Sequence, residues 1–188
     1  MTGRYFLQGY VDAVDNAGTI LLYLLMFLAG ASAGMEMNIK DAIKKIDPGS
    51  IAIPFVSLAG SVLFTAIVFK VSGIGKSNEL IVASAGMGYY SITSAIMLKG
   101  IGAAAGFYGF TVNYIRESIT LVFAQAISKV FGADAVLAAG GATTMDTTLY
   151  PAVRAGGPEY ALKALVNGIV LTVTVPPLLV AMIKWISR

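Results

Sequence analysis

The chain has 188 residues, 57% of them hydrophobic and 12% charged, with a formal net charge of +3 and a mean hydropathy of +0.79. A soluble domain carries about 25% charged residues, so this composition excludes a water-soluble globule and points to one all-α polytopic domain that enters lipid several times. Cysteine and histidine are absent, which excludes disulfide and thiol chemistry and removes the usual metal ligand and neutral-pH proton relay; no metal or cofactor is expected, and a proton-coupled step must use a carboxylate.

Residues 1–16 read as an interfacial segment with Tyr5, Phe6 and Tyr10 at headgroup depth, because they hold no apolar core long enough for a signal peptide. The first span covers 17–35, long enough for ~30 Å of hydrocarbon. It ends in Ala29-Gly30-Ala31-Ser32-Ala33-Gly34, a small-residue face on which another helix can pack closely. The loop Glu36 to Ser50 carries Lys40, Lys44 and Lys45 and is cytoplasmic by the positive-inside rule. The second span covers 51–71, with Pro54 in its first turn, where a missing N–H costs little. A tight outer turn, Ser72 to Asn78, leads to the third span, 79–98. The middle of that span, Ala83 to Ser94, holds two glycines, two tyrosines and several hydroxyls, which is too polar for a lipid-facing helix and predicts a break.

A glycine-rich link, Lys99 to Gly106, precedes the fourth span, 107–130. The fifth segment, 135–155, contains the run Ala139-Gly140-Gly141-Ala142-Thr143-Thr144-Met145-Asp146-Thr147-Thr148-Leu149-Tyr150-Pro151. A helix cannot pass smoothly through paired glycines and then a proline. The last span, 159–185, holds Asn167-Gly168, Pro176-Pro177 and the interfacial anchor Trp185. About six segments are expected, transmembrane or re-entrant, two of them discontinuous; if all six cross, both termini lie outside. No clean sequence repeat is visible. The lysines are scattered through short loops, which suits anionic lipid and not nucleic acid, and no nucleotide-binding motif occurs.

The chemistry-bearing residues sit at the two breaks and on the fourth span. Asp146 has two readings. It caps a half-helix that begins near Thr147 and Thr148, or it faces a polar cavity, since a charge at bilayer depth costs on the order of 3 kcal/mol and a serine could cap for less. Arg116 and Glu117 are neighbours and point about 100° apart, so they do not simply pair. Arg116 needs a permanent partner, for which Asp146 is one candidate. Glu117 is titratable, shares a helix face with Asn113, and is read either as half of a structural pair or as a cation or proton site. The glycine, serine and threonine runs read as packing faces or, taken together, as paired discontinuous helices. The ends of such helices, near Gly86, Gly88, Tyr89, Tyr90 and Ser91 and near Gly140, Gly141, Thr143 and Thr144, could hold a substrate carboxylate and cations. Asn113 and Asn167 are more often interhelical glue than ligands. Tyr89 and Tyr90 could stack on an ammonium group.

At these residues the chain resembles the bacterial lysine exporter (LysO) family. The matching stretches are Ala85-Gly86-Met87-Gly88-Tyr89-Tyr90-Ser91, then Asn113 with Arg116-Glu117, then Gly140-Gly141-Ala142-Thr143-Thr144-Met145-Asp146 with Thr148-Leu149 and Pro151, and Asn167-Gly168 to Pro176. The resemblance covers nearly the whole chain after Ala17 and matches the C-terminal two-thirds of the family's usual length. It implies a multi-pass protein of the cytoplasmic membrane that exports L-lysine and its toxic analogues by antiport with a proton or sodium gradient. The family's usual chain carries further spans ahead of the segment that begins near Thr19, so a homo-oligomer or a small membrane partner is expected to supply them. Asp146 or Glu117 would face an ammonium group, and one of them would exchange a proton for substrate. The rival readings are an accessory subunit without a complete site, a passive channel, and an intramembrane hydrolase using Glu117 and Asp146. No catalytic signature surrounds the two acids, so an enzyme is not expected.

Overall fold

A computed structural model describes residues 48–73 and 77–186. The interfacial segment, the first span with its small-residue face and the Lys40, Lys44 and Lys45 cluster lie outside the described residues. The described chain is helical, and no strand occurs in it. It comprises α1 (Pro48–Ser72), α2 (Ser77–Ser84), α3 (Tyr90–Gly100), α4 (Ala103–Phe131), α5 (Ala133–Gly140), a 3₁₀ turn (Gly141–Met145), α6 (Leu149–Gly156) and α7 (Tyr160–Ile186). The residues Gly49–Ser72 and Tyr160–Ile186 are long and apolar enough to cross a membrane. Large apolar side chains such as Val56, Phe64, Val71, Val122 and Val173 face outward, as lipid contact requires and water would penalise. The chain is an all-α membrane protein. α1 begins earlier than its apolar run, at Pro48, so Pro54 lies inside the helix and not in its first turn.

Three helices run from end to end of the bundle, and two segments do not. Ile53, near the start of α1, packs against a buried cluster that holds Ala124, late in α4, and Ala161, early in α7. Gly100 at the end of α3 and Ala105 at the start of α4 lie instead against the far end of α7, at Ile183. α4 and α7 are therefore antiparallel. α1 carries the chain from the Ile53 end to the Ile183 end, where a short connection leads to α2. α2 has 8 residues, or about 12 Å of helix. It reaches only the middle of the bundle, where the Ser61 hydroxyl of α1 donates to the Ser84 carbonyl. The chain then turns, and α3 returns to the Ile183 end. The segment 77–100 is a hairpin that enters and leaves at one end.

The segment 133–156 is a second hairpin, entering from the opposite end. The Tyr160 hydroxyl donates to Asp134 at the start of α5 (2.9 Å). The Ser128 hydroxyl, late in α4, donates to the Ala155 carbonyl at the close of α6 (3.3 Å). Both mouths of this hairpin therefore sit together. The two segments over 79–98 and 135–155, expected as transmembrane or re-entrant and discontinuous, are thus paired half-helices in the described residues. The physical cause lies at the breaks. Met87 has φ +50, Gly88 φ +89 and Gly141 φ +62, left-handed values that reverse a helical chain.

The two hairpins, each with the long helix that follows it, form an inverted repeat displaced by 54 positions. Gly86 corresponds to Gly140, Thr93 to Thr147, Gly102 to Gly156 and Asn113 to Asn167. The bonds repeat too: Asn113 Nδ2 donates to the Ala83 carbonyl (2.8 Å) and Asn167 Nδ2 to the Leu137 carbonyl (3.2 Å), each thirty residues back. So few identities survive that the repeat is not visible in the sequence.

Candidate functional site

The tips of the hairpins meet at mid-bundle, where the Ala142 N–H donates to the Met87 carbonyl (2.8 Å). Glycine allows the approach. A Cβ on Gly141 would strike the Met87 carbonyl oxygen, and one on Gly88 would come within 2.9 Å of the Gly140 carbonyl oxygen. The polar groups freed at the breaks are satisfied by side chains, as burial in an apolar bundle demands. Asn113 Oδ1 accepts from the Gly88 N–H (2.8 Å), while its Nδ2 donates to the Ala83 and Gly109 carbonyls (both 2.8 Å). Asn167 Nδ2 donates to the Gly141 carbonyl (2.9 Å) and to Thr144 Oγ1 (3.0 Å). The Thr143 hydroxyl donates to the Gly140 carbonyl and pairs with the Thr148 hydroxyl (2.9 and 3.1 Å). The Thr144 hydroxyl is shared between the Gly141 and Ala164 carbonyls (both 2.8 Å).

α4 presents one stripe to both hairpins. Gly106, Gly109, Asn113, Glu117, Thr120 and Ala124 are buried along it, at the three- and four-residue spacing of a helix face. Gly106 and Gly109 admit α3, whose Leu98 and Met97 side chains a Cβ would meet at 2.9 Å. One turn beyond Asn113, Glu117 meets the second hairpin. There the Thr147 hydroxyl donates to Glu117 Oε1, while the Thr147 N–H donates to Asp146 Oδ1 (2.6 Å). One threonine thus joins two carboxylates. Glu117 is buried and Asp146 half-buried, so the pair opens toward the surface on one side. Tyr90 is the first residue of α3. Its ring packs edge-on against Phe110 and Tyr114, with centroids at 5.4 and 6.0 Å.

Asp146 does not cap α6. The N-cap is Thr148, whose side chain makes no capping bond, and the Asp146 carboxylate bonds the neighbouring Thr147 N–H. Arg116 turns away from both acids. Its Nε and Nη2 donate to the Ala139 and Ala138 carbonyls (2.9 and 2.7 Å), and its Nη1 to the Ser61 hydroxyl (3.0 Å). Its partner is therefore the carbonyl end of α5, where the helix dipole leaves negative charge, and not Asp146.

The expected site residues divide into two groups. Glu117 and Asp146 come together at an acidic site, while Tyr90 packs on Phe110 and Tyr114. Gly86, Gly88, Asn113, Gly140, Gly141, Thr143 and Thr144 form the seam between the tips. Tyr89 packs against the apolar core and Ser91 is exposed. The Gly88, Ala142 and Thr148 N–H groups, on which a substrate carboxylate could have rested, already donate within the protein. The sequence reading passed over Thr147 as a ligand and set aside Asn167. The spacing of 54 positions from Thr93 and Asn113 marks each of them only once the fold has revealed the repeat. A dicarboxylate with a shared hydroxyl can take a cation or an ammonium group; an ammonium offers three donors to such oxygens.

Comparison with known proteins points the same way. The lysine exporter LysO of Escherichia coli (strain K12) is 28% identical over 182 residues, which cover 95% of this chain and 58% of that protein. The chain thus spans little more than half the length of that relative. No solved structure matches it. The family model for the lysine exporter LysO matches residues 1–183, and with nearly the whole chain covered, the chain belongs to the lysine exporter LysO family.

Proposed function

We propose that the chain exports L-lysine across the cytoplasmic membrane as a multi-pass secondary transporter, coupled to a proton or another cation, and that it is not an enzyme. The observation that carries this reading is the Glu117–Thr147–Asp146 cluster between two opposed hairpins. A site of two acids at the meeting of two inverted half-helix units suits a cationic substrate that must be reached from both sides in turn. Glu117 or Asp146 receives the side-chain ammonium, and one of them carries the exchanged proton. The seam residues close the path between the two ends. With the loop that contains Lys40, Lys44 and Lys45 inside, the second hairpin enters from the cytoplasm and the first from outside.

The test is counterflow of labelled lysine into proteoliposomes loaded with unlabelled lysine, with and without a pH gradient. Saturable exchange supports a carrier; flux that neither saturates nor exchanges supports a channel and overturns this reading. A second reading makes the chain one membrane subunit of a transporter that another copy or a small partner completes. Lysine transport that appears only with a co-expressed partner would select it.

A further inference from the structure

We propose that the cleft between α4 and α6 is a subsite for the α-carboxylate of the substrate, with Arg154 as the group that binds it; this rests on the lysine-transport reading above. The cleft has a volume of about 300 Å³ and runs from Thr147 to Arg154, flanked by Leu121, Gln125 and Tyr150. Its floor is the threonine whose hydroxyl reaches Glu117. At its mouth Arg154 is exposed and makes no hydrogen bond or ion pair among the described residues. Seven positions, most of them in α6, separate floor from mouth, or roughly 10 Å at the helical rise. An extended lysine measures roughly 7 Å from carboxylate to ammonium, by bonds of about 1.5 Å, and a flexible arginine stem closes the difference.

The polarity fits as well as the length. Two carboxylates lie beyond the floor and a guanidinium waits at the mouth, which suits a ligand with an ammonium at one end and a carboxylate at the other. The N–H groups of the hairpin tips already have partners, so the carboxylate needs another donor. Arg154 also lies in the last turn of α6, where the helix dipole alone favours a cation; that role involves no ligand and predicts no effect on substrate choice.

The experiment measures lysine counterflow by the reconstituted full chain and its inhibition by the diamine that lacks the carboxylate, pentane-1,5-diamine. The unsubstituted chain should prefer lysine. In Arg154→Gln the KM for lysine should rise about tenfold, the loss of one charge-assisted contact, while inhibition by the diamine stays unchanged. Arg154→Lys should recover part of the preference. An unchanged ratio of lysine to diamine in Arg154→Gln, with lysine counterflow intact, overturns the assignment alone. Absence of counterflow in the unsubstituted chain overturns the transport reading and this assignment with it.

A separate observation carries a second inference. The two repeats share the asparagine bond thirty residues back and differ at the tips. In the first, the Gly88 N–H donates to Asn113 Oδ1. The equivalent donor in the second is the Ala142 N–H, which donates instead to the Met87 carbonyl, and Asn167 Oδ1 is buried without a partner among the described residues. We infer that the halves exchange these roles. In the opposite state the Ala142 N–H passes to Asn167 Oδ1, the Gly88 N–H passes to the Gly141 carbonyl, and Asn113 Oδ1 becomes the unpartnered atom. The number of bonds is conserved, so the two states are close in energy, as alternating exposure of one site requires.

The chain has no cysteine, so Gln125→Cys reports on the cleft by its rate of thiol labelling. Asn113→Ala and Asn167→Ala remove matching donors and opposite acceptors. Asn113→Ala should slow the labelling of Gln125→Cys, and Asn167→Ala should leave it fast and unresponsive to lysine. Shifts of the same sign in both variants overturn the exchange, and melting curves of both identify a variant that is merely unfolded, in which case the conservative pair Asn113→Ser and Asn167→Ser decides by the same opposition of sign.

Discussion

Asp146 and Glu117 share one threonine yet differ in exposure, and the difference sets what each can do. Asp146→Asn keeps the oxygen that accepts from the Thr147 N–H and removes only the charge. Lysine counterflow should fall more than tenfold with the melting temperature nearly unchanged; normal flux would leave Asp146 a purely structural role. Glu117→Gln likewise keeps an acceptor for the Thr147 hydroxyl. It should still exchange labelled for unlabelled lysine while net export loses its response to a pH gradient, and full pH-driven export in this variant would move the coupling elsewhere. Arg116 belongs to the framework. Arg116→Gln takes three donors from two carbonyls and a hydroxyl, at a cost of about 3 kcal/mol for buried groups left unsatisfied. The melting temperature should therefore drop before any change in substrate preference is seen, whereas an unaltered melting curve would show that water replaces the guanidinium.

The hairpins are held by backbone conformation more than by apolar area. α5 and α6 have 8 residues each, too few to be stable helices alone, and their turn is fixed by Gly141 at φ +62. A side chain there would be strained by its φ and would also strike the Met87 carbonyl. Gly141→Ala should cost at least 2 kcal/mol in stability and abolish transport. Gly60→Ala is the control: it lies in α1 with nothing within 4 Å of the added carbon, and stability should stay the same or rise slightly. Equal effects of the two substitutions would mean that the tip contact is not what holds the hairpin. Met87 adopts the same left-handed form at φ +50 without being glycine, a cost of about 1–2 kcal/mol that the buried contacts of its side chain offset.

At the scale of the molecule, the inverted repeat makes a topological prediction. Lys99, at the end of α3, and Glu159, just before α7, are exposed at opposite ends of the bundle. In this cysteine-free chain, Lys99→Cys should label with an impermeant thiol reagent from outside intact cells, and Glu159→Cys only after the membrane is opened. Labelling of both from the same side would contradict two hairpins of opposite entry. A segment 133–156 that crossed fully would instead put residue 159 on the side of residue 99.

Composition alone determined that this protein lives in lipid, because 12% charged residues cannot cover a soluble surface. The positions of both breaks were also legible, because glycine clusters and Pro151 interrupt apolar runs, and so was the polar stretch from Asn113 to Glu117 on one helix. The path through the breaks was not. A broken helix that crosses and a hairpin that returns have the same hydropathy, and only the packing of Gly100 on Ile183 and of Asp134 on Tyr160 distinguishes them. The partner of Arg116 was equally hidden, since the sequence offers acids as partners while the fold brings up a helix's carbonyl end. Thr147 and Asn167 gained their roles through contacts with residues 30 positions or so away. Such contacts are set by where the chain reverses, and reversal is a property of a few backbone angles that residue type permits but does not fix.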